Sequence, residues 1–180
     1  MLQIRCSKKL LDAMGIKQKD LGTIKEADNL VGNWYANIFI LERRNLIIFM
    51  NEKTLLSFVL VGIRKDNIKN ISKMFYGGLK KYLSLEGFHG ITINQILSEY
   101  EDVEFTKTES RSLLGNLNEL VKLYKYRISY DDGLKHCDMT DIIQSTNRMP
   151  MRNIEWKYAI DAFSDLLSED STPIEPDSEI

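Results

Sequence analysis

The side chains best suited to hold a charged group are two adjacent arginines, Arg43 and Arg44, in a polar break between two apolar runs. Two guanidiniums at a hairpin tip can grip a phosphate or a carboxylate in a bidentate manner. Lys8, Lys9 and Lys53 extend this basic surface if they lie at the same end of the sheet. Loops are polar in most proteins, so an ordinary charged turn is the commoner explanation.

A second set of polar side chains lies in or beside apolar segments, where a buried polar group must form hydrogen bonds. The set consists of Asn37, Asn51, Thr54, Arg111 and Asn118. If these side chains share a pocket, they form a ligand site or an enzyme site of unknown chemistry. A structural network is the commoner outcome, since buried polar groups are normally satisfied. Together with Arg43 and Arg44 they are the predicted binding residues, and no catalytic residue can be named.

Two other clusters contain residue types found in active sites. The first is His136, Cys137, Asp138 and Asp141. Adjacent residues rarely form a nucleophile and base pair, and a metal site would need further ligands, so we interpret it as a surface loop. The second, an acidic run over residues 99–104 followed by Lys107, is best explained as a solvated turn. The chain contains no glycine-rich phosphate loop, zinc-protease motif or hydrolase motif. We therefore predict no metal site and no cofactor.

The elements that position these residues follow from apolar patterning. Residues 2–6 are predicted to form a strand, and Ser7 is predicted to cap a helix over residues 8–14. Three apolar runs, 34–41, 46–50 and 55–61, are separated by breaks that suit hairpins. They predict an antiparallel meander.

The rest of the chain is mainly helical. Apolar spacing predicts helices over residues 68–83, 113–124, 138–145 and 154–167, and a capping box at Thr92 predicts one that runs to about residue 100. Residues 103–105 and 126–130 are predicted as short strands. Because strands come early and helices late, the fold class is α+β. We expect a central, mainly antiparallel sheet, a three-stranded meander plus the N-terminal strand, packed by several helices.

Length, charge and cysteine content limit the domain organisation and the cellular compartment of the protein. A chain of 180 residues fits one domain, which we place at residues 1–167. Residues 168–180 form an acidic tail that we expect to be disordered. Residues 1–164 carry 24 Lys and Arg against 20 Asp and Glu, a mildly basic balance. Two cysteines are too few for a disulfide framework, and no signal peptide or membrane span is evident. These observations predict a cytoplasmic protein with free thiols.

Several separated motifs occur in an order typical of one family. They are the start 2–10, Asn33–Asn37, Arg43–Arg44, Ile48–Leu55 and Arg111–Asn118. The chain resembles an uncharacterised bacterial family, catalogued as a domain of unknown function and sometimes associated with plasmid open-reading-frame-three type domains. The resemblance covers most of residues 1–167 and implies no activity. Its motif positions include the polar residues selected above, which supports a shared structural or binding role.

Three functions remain open at this point. The first is a binding or interaction module for an anionic or protein partner, with Arg43 and Arg44 in contact with nucleic acid or protein. The second is an enzyme with a small polar pocket. The third is a subunit of a structural oligomer, suggested by strands that are apolar on both faces. We favour the first because the body of the chain is mildly basic.

Overall fold

Five strands form one sheet in the order β4-β3-β2-β1-β5 in a computed structural model that describes residues 1–169. The strands are β1 (Leu2–Cys6), β2 (Trp34–Leu41), β3 (Arg44–Asn51), β4 (Ser57–Ile63) and β5 (Val103–Lys107). The helices are α1 (Lys8–Met14), α2 (Ile71–Leu85), α3 (Gly90–Ser98), α4 (Arg111–Tyr130), α5 (Met139–Thr146) and α6 (Ala159–Glu169).

The predicted α+β class is confirmed, and so is the antiparallel meander of β2, β3 and β4. The position of β1 differs from the prediction. It lies between β2 and β5 and pairs in parallel with both of them, so the sheet is mixed rather than mainly antiparallel. Parallel neighbours require a crossover of a dozen or more residues. The long connection 7–33, which includes α1, provides it between β1 and β2.

One face of the sheet packs against α2 through aromatic side chains. The Phe75 ring lies 5.3 Å from Trp34 and 5.1 Å from Phe49, both at steep angles. Such edge-to-face pairs stabilise a core beyond the area that they bury. Gly78 lets α2 approach the strands, because a Cβ atom there would lie 2.8 Å from the Phe58 ring.

The opposite face carries a row of paired residues that crosses the whole sheet. Ser57 pairs with Met50, Met50 with Tyr35, Tyr35 with Arg5, and Arg5 with Thr106. Directly paired residues project from the same face. This row therefore places a serine near one edge and a buried arginine near the other, with α4 and α5 packed beside β2 and β4.

Several predicted boundaries are corrected. Residues 126–130, predicted as a strand, form the last turns of α4. The capping box at Thr92 does not start α3, whose N-cap is His89. The helix predicted over residues 113–124 is α4, which is longer at both ends, and its cap is Ser110, whose hydroxyl accepts the Leu113 N–H at 3.2 Å. Apolar spacing marks a helix face well but fixes its end poorly, since caps depend on the local backbone.

The C-terminal helix also begins later than predicted. Residues 152–154 form a 3-10 turn, and α6 starts at Ala159 after a bridge between Pro150 and Tyr158. From residue 170 onward the predicted acidic tail lies outside the described residues. Within residues 1–169, no helix is long and apolar enough to cross a membrane.

Candidate functional site

Four buried side chains at one end of the row, Ser57, Tyr82, Tyr124 and Asn147, bond to one another; we call them the closed cluster. The Asn147 side chain accepts the Ser57 N–H at 2.9 Å and donates to the Ser57 carbonyl at 2.7 Å, as a neighbouring strand would. Its amide also donates to the Tyr82 hydroxyl at 2.9 Å. The hydroxyls of Ser57 and Tyr124 are 3.0 Å apart. This cluster joins β4 to α2, α4 and α5.

Burial dominates the electrostatics of the closed cluster. It raises the pKa values of Tyr82 and Tyr124, and for Tyr82 the nearby Glu86 carboxylate adds to the shift. Both phenols are therefore neutral hydrogen-bonding groups at physiological pH. Because each polar atom has a close partner, the closed cluster has the character of a structural network.

Two of the predicted binding residues, Asn51 and Thr54, meet in a loop. The side-chain oxygen of Asn51, Oδ1, accepts hydrogen bonds from the N–H groups of Lys53 and Thr54 and from the Thr54 hydroxyl, each at 3.0 Å. Its amide donates to the Val31 carbonyl at 2.9 Å. These bonds shape the turn between β3 and β4. They also hold the segment that leads into β2.

The other members of the polar set have different neighbours. Asn37 accepts the Ser7 hydroxyl at 2.6 Å beside the start of α1. Arg111 and Asn118 are exposed on α4. The structure thus brings Asn51 and Thr54 together, while Asn37 bonds elsewhere and the two α4 residues face solvent.

Arg43 and Arg44 lie at the hairpin between β2 and β3, as predicted, and both are exposed. The turn residues Glu42 and Arg43 have φ values of 48° and 62°, a conformation that costs energy for residues other than glycine. The Glu42 carboxylate accepts the Leu134 N–H at 3.2 and 3.3 Å, which braces the tip against the loop after α4. Neither arginine forms an ion pair within residues 1–169.

At the other end of the row lies a group of residues that the sequence prediction missed: Arg5, Tyr35, Glu52 and Glu109, here the Arg5 cluster. Arg5 is only 7% exposed. Its Nη2 donates to the Lys25 carbonyl at 2.8 Å, the one short bond of the guanidinium among residues 1–169. Its Nη1 lies 3.5 Å from the Tyr35 hydroxyl, 3.5 Å from Glu52 and 3.6 Å from Glu109. Arg5 Nε is buried and has no hydrogen-bond partner in that part of the chain.

At these distances the hydrogen-bonding capacity of the Arg5 guanidinium is only partly used. Charge-assisted hydrogen bonds to carboxylates are usually about 2.7–2.9 Å long, and a buried charge needs several of them. Glu52 is held elsewhere, because its Oε1 accepts the Asn33 N–H at 2.8 Å. The Glu109 side chain is 62% exposed, and its ion pair within the described residues is the long contact to Arg5. Arg5 therefore has donors left for a further acceptor.

A cavity of about 500 Å³ opens beside this cluster. It is lined by Arg5, Ile24, Lys25, Glu26, Ala27, Glu52, Lys53 and Glu109. Gln3, the neighbour of Arg5 on the same strand face, holds the lining loop: its amide donates to the Thr23 carbonyl at 2.7 Å and its carbonyl accepts the Lys25 N–H at 3.0 Å. The Tyr35 hydroxyl also accepts the Ser110 N–H at 3.2 Å, which places the start of α4 beside the cluster.

A sequence signal for this site existed in β1. Gln3 and Arg5 alternate with Leu2, Ile4 and Cys6, so one face of a buried strand is polar. That alternation identifies Arg5 as an arginine that must be paired or functional. Glu52 and Glu109 carry no such signal, because both lie in loops that are polar in any case.

The two remaining clusters from the sequence are the one around Cys137 and the acidic run over residues 99–104. Burial raises the pKa of the Cys137 thiol, which opposes thiolate formation. Glu104 accepts the Gln3 amide at 2.8 Å and so supports the lining loop. In the part of the chain that the structure describes, no three His, Cys, Asp or Glu side chains are grouped to hold a metal ion.

Comparison with known proteins gives one match. The model of a family described as "Domain of unknown function (DUF6933)" matches residues 3–162, a range that contains the closed cluster and the Arg5 cluster. No curated protein and no solved structure matches the chain.

Proposed function

We propose that this chain, which belongs to the DUF6933 family, is a binding module that holds the anionic group of a small ligand in the Arg5 cavity. The observation that carries the proposal is a buried guanidinium with one short hydrogen bond, beside a cavity of about 500 Å³. Cavities of this size are typical of small-molecule sites. A carboxylate or phosphate is the acceptor that a guanidinium binds best.

Glu109 acts as the replaceable partner of Arg5 in this proposal. Its side chain is 62% exposed and 3.6 Å from Nη1, and exposed ion pairs contribute only about 0–1 kcal/mol. A ligand oxyanion that approaches to normal bonding distance can therefore displace it. Glu52 stays in place because the Asn33 N–H holds its other oxygen.

The lining residues contain three glutamates and three basic side chains, so formal charge alone does not favour an anion. Two further features do. Lys53 Nζ is bound to the Leu30 carbonyl at 2.8 Å, which keeps its charge close to the cavity. The N-terminus of α4 begins beside Tyr35, and helix N-termini carry a partial positive charge.

The first experiment measures anion binding with and without the competing glutamate. Glu109→Gln should raise the affinity for phosphate or citrate, measured by calorimetry, roughly threefold to tenfold. Glu119→Gln is the matched control, because Glu119 also forms an exposed ion pair on α4, with Lys122 at 2.8 Å. Equal affinities of wild type and Glu109→Gln would contradict the proposal. Preference for citrate or for phosphate distinguishes a carboxylate ligand from a phosphorylated one.

A second experiment tests whether the protein retains a ligand from the cells in which it is produced. A gentle native mass spectrum of the purified protein should show a mass above the 20.9 kDa chain that disappears in Arg5→Lys, since a lysine lacks the planar guanidinium donors. A bound mass that persists in Arg5→Lys would assign the ligand to another site.

The hairpin tip is a second candidate, for an anionic macromolecular partner. It is favoured by two exposed arginines, which form no ion pair in the part of the chain that the structure describes, on a turn that Glu42 braces. Arg43→Ala/Arg44→Ala should then weaken binding to a DNA or RNA oligonucleotide and flatten its salt dependence. Unchanged binding would remove this candidate. In either role we place the protein in the bacterial cytoplasm, supported by its free cysteines, Cys6 and Cys137.

A further inference from the structure

Two tyrosines on the outer side of α4, Tyr126 and Tyr130, stack on each other one helical turn apart. Their ring centroids are 6.1 Å apart and their planes differ by 27°. The two residues are 66% and 76% exposed, although tyrosine has a large apolar ring. Exposed tyrosines are enriched where proteins bind their partners, because they offer rigid contact area and a polar tip.

The two rings line a cavity of about 310 Å³ between the end of α4 and α5. Its other lining residues are Arg127, Asp131, Asp141, Ile142 and Ser145. An aromatic wall and carboxylates thus border the same space. This cavity shares no residue with the Arg5 cavity.

The two carboxylates at this cavity have no cationic partner. Neither Asp131 nor Asp141 forms a salt bridge in the portion of the chain that the structure describes. Arg127 lines the same cavity, but its guanidinium donates to the Ser145 hydroxyl and is held against α5. The aspartates therefore keep their charge available to a group from outside.

We propose that this cavity binds an arginine or lysine side chain of a protein partner. A cation stacks favourably on tyrosine faces, and a guanidinium also donates paired hydrogen bonds to carboxylates. Asp131 and Asp141, which form no salt bridge within residues 1–169, repel phosphates, so the same chemistry disfavours nucleic acid. This site is independent of the Arg5 site and gives the module a contact for a basic protein surface.

The test is an NMR titration of the full-length ¹⁵N-labelled protein with N-acetyl-arginine amide. The control ligand is N-acetyl-citrulline amide, which has nearly the same shape and no charge. Amide shifts should concentrate in residues 126–131 and 141–145. The affinity for the citrulline derivative should be at least about fivefold lower than the affinity for the arginine derivative. Equal responses to the two ligands would overturn the proposal.

Two variants sharpen the titration. Asp131→Asn/Asp141→Asn should weaken arginine binding roughly fivefold, whereas the matched change Asp12→Asn/Asp20→Asn, on exposed sites elsewhere, should leave it unchanged. Tyr126→Leu/Tyr130→Leu keeps apolar surface but removes the aromatic rings, and it should also weaken binding of the arginine derivative. Wild-type affinity in both cavity variants overturns the proposal. The proposal is also overturned if a ten-nucleotide thymidine oligomer shifts these amide resonances and the arginine derivative does not.

Discussion

Ser57 and Arg5 lie toward opposite ends of the same row of paired residues, and their clusters are bonded in opposite ways. The closed cluster joins four elements through hydrogen bonds of 2.7–3.0 Å. In the Arg5 cluster the carboxylates stand 3.5 and 3.6 Å from the guanidinium, and one of its nitrogens has no partner within residues 1–169. The difference separates a fully bonded polar cluster from one whose hydrogen-bonding capacity is partly unused.

The comparison predicts that the closed cluster carries stability. Asn147→Ala would remove the side-chain acceptor of the Ser57 N–H and would leave the Ser57 C=O with the longer bond from the Tyr124 hydroxyl, at 3.4 Å. It should lower the free energy of unfolding by about 3 kcal/mol. Urea denaturation measures this change. Asn118→Ala, at an exposed position on α4, is the control and should change it by less than about 0.5 kcal/mol. A small effect of Asn147→Ala would place the stability of the fold elsewhere.

The closed cluster also predicts a loss of stability in alkaline solution. Burial raises the pKa values of Tyr82 and Tyr124 above that of an unfolded tyrosine, about 10. Their contribution is complete below pH of about 10 and is lost as pH rises further, because the unfolded state then releases protons first.

The free energy of unfolding should fall by up to about 1.4 kcal/mol per pH unit for each tyrosine in that range. Tyr124→Phe should reduce the slope, and Tyr158→Phe, at an exposed position, should not. Identical slopes for wild type and Tyr124→Phe would show that this phenol does not govern the alkaline transition.

The Arg5 cluster, by contrast, should be nearly neutral for stability. Arg5→Met/Glu52→Gln removes the charge pair together, keeps side-chain volume and retains an acceptor for the Asn33 N–H. Replacing a buried pair in this way typically changes stability little, so we expect a change within about 1 kcal/mol in urea and a loss of phosphate or citrate binding. Destabilisation of about 3 kcal/mol would make the Arg5 cluster structural and remove the contrast with the closed cluster.

Much of the fold follows from local patterns, because apolar spacing reports directly which face of an element is buried. It predicted β1, the meander, α2 and α5. The parallel pairing of β1 with β5 was not predictable in this way, since it joins segments about a hundred residues apart. The strand predicted at residues 126–130 was wrong because a β-rich composition there, including Ile128 and two tyrosines, continues a helix begun at Arg111.

The sites were harder to predict than the fold. Arg43 and Arg44 lie at the hairpin as expected, and their role stays a prediction. Arg5 was detectable from the alternation in β1, but its partners Lys25, Tyr35, Glu52 and Glu109 come from four separate segments. Glu52 follows β3 and Glu109 follows β5, and only the assembled sheet brings them to the same guanidinium. Residues that come together from separate loops have no characteristic spacing in the sequence.

The central place of β1 has a consequence for the order of events during synthesis. This strand leaves the ribosome well before its second neighbour, which begins only at Val103. At roughly 5–20 residues per second, β1 waits on the order of 5–20 s with one edge unpaired. An unpaired edge is a template for association with another chain. We therefore expect a chain truncated after Tyr100 to aggregate in light-scattering measurements under conditions in which the full chain does not.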